Sequence, residues 1–314
     1  MKLFNAAFPF AFALSLLLAA ATAHGAEEKF FGVKPKDTGN SMLWEGVSPE
    51  GGKVWILGSI HIGKKPWWPF DKAIEEAWGN AKTLAVELNT SDPRIGQAAA
   101  AELLLGGLIP EGKPSLSELL GPERSKKLDE ALRKDFRCSL STVNRLRPWK
   151  LSVMLELQAC AKEGWQAEFG IDKRFMDLAA KESKPIKSLE KLEGQFKMLG
   201  ATDDEQMAKL VYRMVCEEPS SDEIEMICSC WELGDIEALN SYMQGIGGIC
   251  PDFVKYAITE RNKTMADGVK KLCASKDAAV FVVVGAAHLG GAEGVVALLE
   301  KEGFKLKQAP RKGK

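Results

Sequence analysis

The sequence predicts an α/β fold of the α+β kind: a mixed central sheet built from N- and C-terminal βαβ units, with a large helical insertion between them. Three observations predict it. Val54-Trp55-Ile56-Leu57 is a run of apolar and β-branched residues that closes on Gly58-Ser59-Ile60-His61-Ile62-Gly63. Val280-Phe281-Val282-Val283-Val284 repeats that form and closes on Gly285-Ala286-Ala287-His288-Leu289-Gly290. Between the two, residues from about 94 to 270 carry apolar side chains at helical spacing, punctuated by Gly, Pro, Asp and Ser.

Taken in order, the chain begins with Lys2 and an apolar run that ends in Ala21-Thr22-Ala23. A basic residue, a short apolar stretch and a small-x-small triplet make 1–23 a signal peptide, which predicts an exported protein, periplasmic or secreted. No later stretch is apolar enough to span a bilayer, so no stable membrane span is expected after cleavage. Residues 24–40 are polar and read as a flexible lead-in. Met42–Val47 and residues 53–60 flank Ser48-Pro49-Glu50-Gly51-Gly52, a turn-forming stretch, and form a β-hairpin. Lys64–Phe70 is a loop, too rich in proline and tryptophan for a helix interior. Residues 71–79 place Ala73, Ile74, Ala77 and Trp78 on one helical face, and Thr83–Leu88 is a short strand. That completes a βαβ unit. Parallel strands share the edge at which they end, so His61 and Glu87 belong to one sheet edge.

Helices are expected near 95–106, 123–136, 149–163, 170–182, 203–217, 221–233, 235–244 and 253–273, with one further strand at Pro185–Leu189. Strand 280–285, a helix near 292–302 and strand 304–307 form the second unit. No linker divides the chain, so 41–308 reads as a single domain followed by a basic tail at 309–314.

The 314 residues are 46% hydrophobic and 27% charged, with a net charge of −1, an ordinary globular balance that gives no indication of a nucleic-acid partner. Seven cysteines in an exported chain predict structural disulfides, with at least one thiol left over because the number is odd. No Cys-x-x-Cys occurs, and Cys228-Ser229-Cys230 is too closely spaced for a zinc knuckle.

The chain has three histidines, and His24 lies just past the expected cleavage point, in the lead-in. The other two each close one of the twin strands. Neutral imidazoles at strand ends are good ligands for a divalent transition metal, and two with one carboxylate make a recurrent open site. His61 and His288 are therefore candidate metal ligands. Glu87, the only acid in its apolar strand, is costly to bury unless paired or metal-bound, and reads evenly as a metal ligand or as a capping or salt-bridged acid. Asp172 and Glu190 are further carboxylates that the sequence does not place. A lone Gly-x-x-His more often marks a hydrogen-bonded structural histidine; the duplication favours function. Trp67 and Trp68 read either as an apolar lip over the site or as core anchors, and Arg261 and Asn262 as polar residues of a helix. No Gly-x-Ser-x-Gly elbow or His-Glu-x-x-His helix occurs.

With these residues in hand, the chain resembles the TraB/GumN family, related to the Tiki metalloproteases and more distantly to erythromycin esterases and haem-binding ChaN-like proteins. The resemblance covers about 40 to 308. It is carried by Leu43-Trp44, the two Gly-x-x-His motifs, Val86-Glu87-Leu88, Pro148-Trp149 and Phe169-Gly170-Ile171-Asp172. Leu189-Glu190 with Gln195, Trp231-Glu232-Leu233-Gly234-Asp235 and Glu260-Arg261-Asn262 complete it. It implies a fold in which two halves of a sheet bring both motifs together. For the Tiki branch it implies a metal-dependent peptidase with manganese or cobalt favoured, a peptide or protein substrate, and a metal-activated water attacking an amide or ester carbonyl. By position, His61, Glu87 and His288 would hold the metal, with Glu87 as ligand or base and Arg261 and Asn262 holding a substrate carbonyl or orienting the site. The pheromone-shutdown members imply an alternative, a non-catalytic protein that sequesters a peptide signal; the ChaN kinship implies a third, haem or iron binding.

Overall fold

The computed structural model describes residues 29–313 apart from 106, 218 and 219; the expected signal peptide and His24 lie outside the described residues. Six strands form one mixed sheet: β1 (Asn40–Val47), β2 (Lys53–Ser59), β3 (Thr83–Val86), β4 (Ile186–Ser188), β5 (Ala279–Gly285) and β6 (Lys305–Pro310). Their order is β4-β3-β5-β2-β1-β6. β5 pairs in parallel with both β2 and β3, β3 pairs in parallel with β4, and β1 pairs antiparallel with β2 and β6. The chain is thus mixed α/β, as the strand and helix patterns predict.

One placement organises the rest. The strand carrying the second motif does not extend the sheet at its rim; it inserts between β2 and β3, the two strands of the N-terminal βαβ unit. Every residue of β5 is buried. Its unbroken Val/Phe run is the signature of a strand covered on both faces. On one face Phe281 meets Trp78 and Phe175 at ring-centroid distances of 5.5 and 4.8 Å. Those rings come from helix α1 (Lys72–Asn80) and from a second helix, Ile171–Lys181. Burying one such ring contributes about 1.5–3 kcal/mol. Asp71 caps α1 by accepting from Ala73 N–H at 2.9 Å.

The insertion is helical as predicted, beginning with α2 (Pro93–Leu105), α3 (Leu116–Phe136), α4 (Leu140–Val143), α5 (Pro148–Lys162) and α6 (Ile171–Lys181). After β4 come α7 (Leu192–Ala201), α8 (Asp204–Cys216), α9 (Ser220–Leu233), α10 (Ile236–Ile249) and α11 (Pro251–Phe253). A π-helical stretch, Val254–Thr259, then joins α11 to α12 (Glu260–Leu272), and α13 (Val295–Lys301) links β5 to β6. The main core gathers the sheet and most helices. A second, smaller core joins α3, α4, α5 and α8 through Leu128, Leu132, Leu151 and Val211. Among the described residues no helix is long and apolar enough to cross a membrane.

Three details differ from the sequence reading. Residues at 36–40, read as flexible, are fastened: Lys36 N–H donates to Asp235 at 2.9 Å and Thr38 N–H to Leu233 O at 3.1 Å. The basic tail is also docked. Its first residues finish β6, Arg311 binds Glu232 O and Asp37, and Lys312 N–H donates to the capping Asp71. The expected disulfides are not formed, and all seven cysteines are free thiols. Cys228 and Cys230 lie two positions apart on α9, where side chains diverge by about 200°. Cys160, Cys250 and Cys273 are dispersed through the main core, and Cys138 and Cys216 flank the smaller one. Burial pushes the thiols up, Cys216 to about 11 and Cys250 to about 12, so they behave as small apolar side chains rather than nucleophiles.

Candidate functional site

The C-terminal ends of β2, β5 and β3 lie side by side, and the candidate residues meet there. Ser59 pairs with Gly285 across the β2–β5 ladder, and Val86 with Val283 across β3–β5. Glu87, the residue after β3, turns under β5 so that Gly285 N–H donates to its Oε1 at 2.6 Å. His61 follows β2, and His288 sits on the 3-10 turn Ala286–His288 after β5. Nε2 of each imidazole stands 3.9 Å from Glu87 Oε1. A Cβ built on Gly285 would lie 3.2 Å from that oxygen and 3.4 Å from His61 Nε2, so the absent side chain leaves the gap between the three groups.

Each ring is held through its other nitrogen. Asn262 Nδ2 donates to Glu293 O at 2.8 Å, which turns its Oδ1 toward His288 Nδ1 at 2.7 Å. His288 then carries its proton on Nδ1 and keeps the Nε2 lone pair free. His61 Nδ1 lies 2.9 Å from Asp172 Oδ1, close for an ion pair but not aligned as a hydrogen bond, and its Nε2 has no hydrogen-bond partner. Asp172 reaches that ring because α6 starts against it: Ile171 N–H donates to Ile60 O at 2.9 Å. Any Cβ on Gly170 would meet His61 O at 2.4 Å.

Arg261 is completely buried. Its guanidinium donates to Glu190 from Nε at 3.1 Å and from Nη2 at 2.7 Å, to Ala257 O from Nη1 at 3.3 Å, and to Glu87 Oε2 through Nη2. Gln195 Nε2 completes Glu190 at 3.1 Å. Arg261 therefore clamps Glu87 to Glu190. The π-helical stretch Val254–Thr259, just before Arg261 in the same helix, is a local irregularity of the kind that often accompanies functional positions.

The electrostatics follow from this packing. Burial pushes the Glu87 carboxyl up, but Arg261, the two imidazoles and the Gly285 N–H together hold it down at about 2. It is an anion at physiological pH, the form in which a carboxylate can coordinate a cation or accept a proton. Burial and the Arg261 charge push His288 down to about 3, so it is neutral at physiological pH. Burial also works against charge on His61, yet the charges of Asp172 and Glu87 outweigh it and raise this imidazole above its ordinary value. With neutral imidazoles, one guanidinium faces three carboxylates, a surplus of two negative charges.

That surplus, the two available Nε2 lone pairs and the unpartnered His61 nitrogen fit a divalent cation. The donors are not drawn together as they stand: among the described residues no three His, Cys, Asp or Glu side chains form a ready metal cluster. Ligands about 2.1 Å from one tetrahedral ion are about 3.4 Å apart, so a closure of roughly 0.5 Å would be needed. Above the donors is a cavity of about 30 Å³, walled by Ile227, Leu239 and Ile258 together with Ser59 and the Gly285–His288 turn. That is room for one or two water-sized groups.

The tryptophan pair is packed rather than open. Trp67 donates to Ile62 O at 2.9 Å and packs at a tilt against Trp231, whose own N–H donates to Gly58 O; Trp68 packs on Phe70 and Phe169.

Comparison with known proteins agrees with this architecture. A family model described as the TraB/PrgY/gumN family matches residues 42–308. The chain is 25% identical over 263 residues to the uncharacterized protein YbaP of Escherichia coli (strain K12), covering 81% of this chain and 91% of that protein. YbaP of Shigella flexneri matches to the same extent. An uncharacterized protein of Treponema pallidum (strain Nichols) is 29% identical over 116 residues, 36% of this chain and 33% of that one. No solved structure matches.

Proposed function

The chain belongs to the TraB/PrgY/gumN family, and from that premise we propose that it is a divalent-metal-dependent hydrolase acting on amide or ester bonds of exported peptides or proteins. The observation that carries the reading is the pair of imidazoles from twin motifs, each with Nε2 directed to one buried carboxylate and with Nδ1 engaged by Asn262 or Asp172. His61, His288 and Glu87 would hold the ion, with manganese or cobalt the metals to try first. Glu87 keeps coordinating capacity because a carboxylate has about four lone-pair directions and Oε1 uses one on Gly285 N–H. Bound there, the ion supplies an activated water and polarises a carbonyl.

The protein's own residues supply orientation. Asn262 fixes the His288 tautomer, Asp172 lies against His61 Nδ1, and Arg261 with Glu190 keeps Glu87 charged and immobile. Ile227, Leu239 and Ile258 exclude bulk water, which strengthens every charge interaction inside. A cavity of about 30 Å³ does not admit a peptide as it stands, so substrate entry requires this aliphatic wall to move outward.

The test is metal analysis of the mature chain purified without chelator, beside its His61→Ala/His288→Ala double variant. Near-stoichiometric manganese or cobalt in the first and none in the second is expected, together with metal-dependent peptide cleavage. Equal metal content in both proteins, or no uptake by either, overturns the proposal. Retained metal without turnover of any peptide would restrict it to binding.

A further inference from the structure

Ser59 is the polar residue of the cavity that the proposed chemistry leaves without a task. It ends β2, it is 3% exposed, its Oγ has no hydrogen-bond partner, and it lines the same small cavity as His61 and His288. A buried hydroxyl left unsatisfied costs about 1–3 kcal/mol. The twin motif supplies an internal control. Its counterpart in Gly285-Ala286-Ala287-His288 is Ala286, also buried. The second copy of the motif carries no hydroxyl, although the two turns differ in form: Ser59 ends β2, whereas Ala286 opens the 3-10 turn Ala286–His288.

Nor is Ser59 arranged as a nucleophile. Activation needs a base hydrogen-bonded to Oγ, and neither imidazole is so bonded. The cavity beside Ser59 has room for that partner, a water in the resting protein and an oxygen of the ligand once it arrives. We propose that Ser59 is a substrate-contacting residue whose hydroxyl donates to the acyl oxygen of a ligand held between His61 and His288. This rests on the metal-hydrolase reading above. It makes the site selective for ligands that present a carbonyl-type oxygen toward β2, because only these satisfy the buried donor.

The experiment uses the full mature chain loaded with cobalt, and acetohydroxamate as the probe, followed by the visible cobalt spectrum. Wild type, Ser59→Ala and Ser59→Cys are compared for cobalt stoichiometry, probe affinity and the melting temperature of the metal-free protein. Ser59→Ala is expected to keep full cobalt content and to melt at or above wild type, while binding acetohydroxamate about tenfold more weakly. Ser59→Cys, of similar shape but with a weaker donor, is expected to fall between the two. Equal probe affinity in wild type and Ser59→Ala overturns the assignment and leaves the metal reading standing. A lower melting temperature or lost cobalt in Ser59→Ala overturns it in favour of a structural or ligating role. A wild type that takes up no cobalt overturns both.

Discussion

Arg261 is the residue on which the site's geometry turns, since its one guanidinium joins Glu87 to Glu190 with no access to solvent. Replacing it with glutamine buries two carboxylates without their cation, and a loss of about 3–5 kcal/mol is expected in urea unfolding. Asn262 acts at one remove. Asn262→Ala frees His288 Nδ1 to take either tautomer, and a 10–100-fold loss of metal affinity by calorimetry is the expected result, with little change in fold. The two imidazoles also give the metal-free protein opposing pH limbs. His288 has a depressed value, so between its folded value near 3 and the ordinary 6.5 the unfolded chain holds the extra proton, and stability rises with pH. His61 has a raised value, so the stabilisation it gives is fully present below 6.5 and is lost as pH rises through its folded value. Stability of the metal-free protein measured against pH should therefore peak near 6.5 rather than on a broad alkaline plateau. His61→Gln should remove the descending limb alone.

Among the elements, the twin turns matter most, and Gly285 is their most revealing position. A methyl group there sits 3.2 to 3.4 Å from Glu87 Oε1, His288 Cδ2 and His61 Nε2, contacts that small shifts can absorb. Gly285→Ala should thus fold, melt within a few degrees of wild type, and lose metal binding because the gap is filled. Equal metal content in this variant would show that the ion does not sit between those groups. How far the site could be read from the sequence follows the same division. The strands, their histidines and the acid of β3 were legible because each is a local pattern: an apolar run, a glycine, one polar residue. The parallel orientation of β2 and β3 expected of a βαβ unit put His61 and Glu87 on one edge from sequence alone. The insertion of β5 between them was not legible, since hydrogen-bond partners across a sheet leave no trace in the spacing of either strand. For the same reason Arg261 and Asn262 were visible as helix residues, while their tasks, one clamping Glu87 and the other orienting His288, depend on packing between distant segments. The disulfide expectation failed because cysteine number reports compartment chemistry and not which thiols the fold brings together.

For the molecule as a whole, two cores of unequal size imply two levels of stability. The smaller one, under α3, α4, α5 and α8, has fewer buried side chains to lose than the core around the sheet. Native-state hydrogen exchange should find amides of α3 opening at a lower free energy than those of β2 and β5, without global unfolding. Export is tested at the same scale: the mature protein should begin at His24 by N-terminal sequencing and be recovered outside the cytoplasm. The central position of β5 carries one further consequence, concerning order in time. Gly285 and Glu87 are bonded across 198 residues, so the first three strands leave the ribosome long before the strand that fills the space between two of them. Until β5 arrives, β2 and β3 lack the neighbour between them and the two histidines have no common centre. A chain still being made therefore has not yet brought the proposed ligands together, and the fold itself delays the proposed activity until the polypeptide is whole.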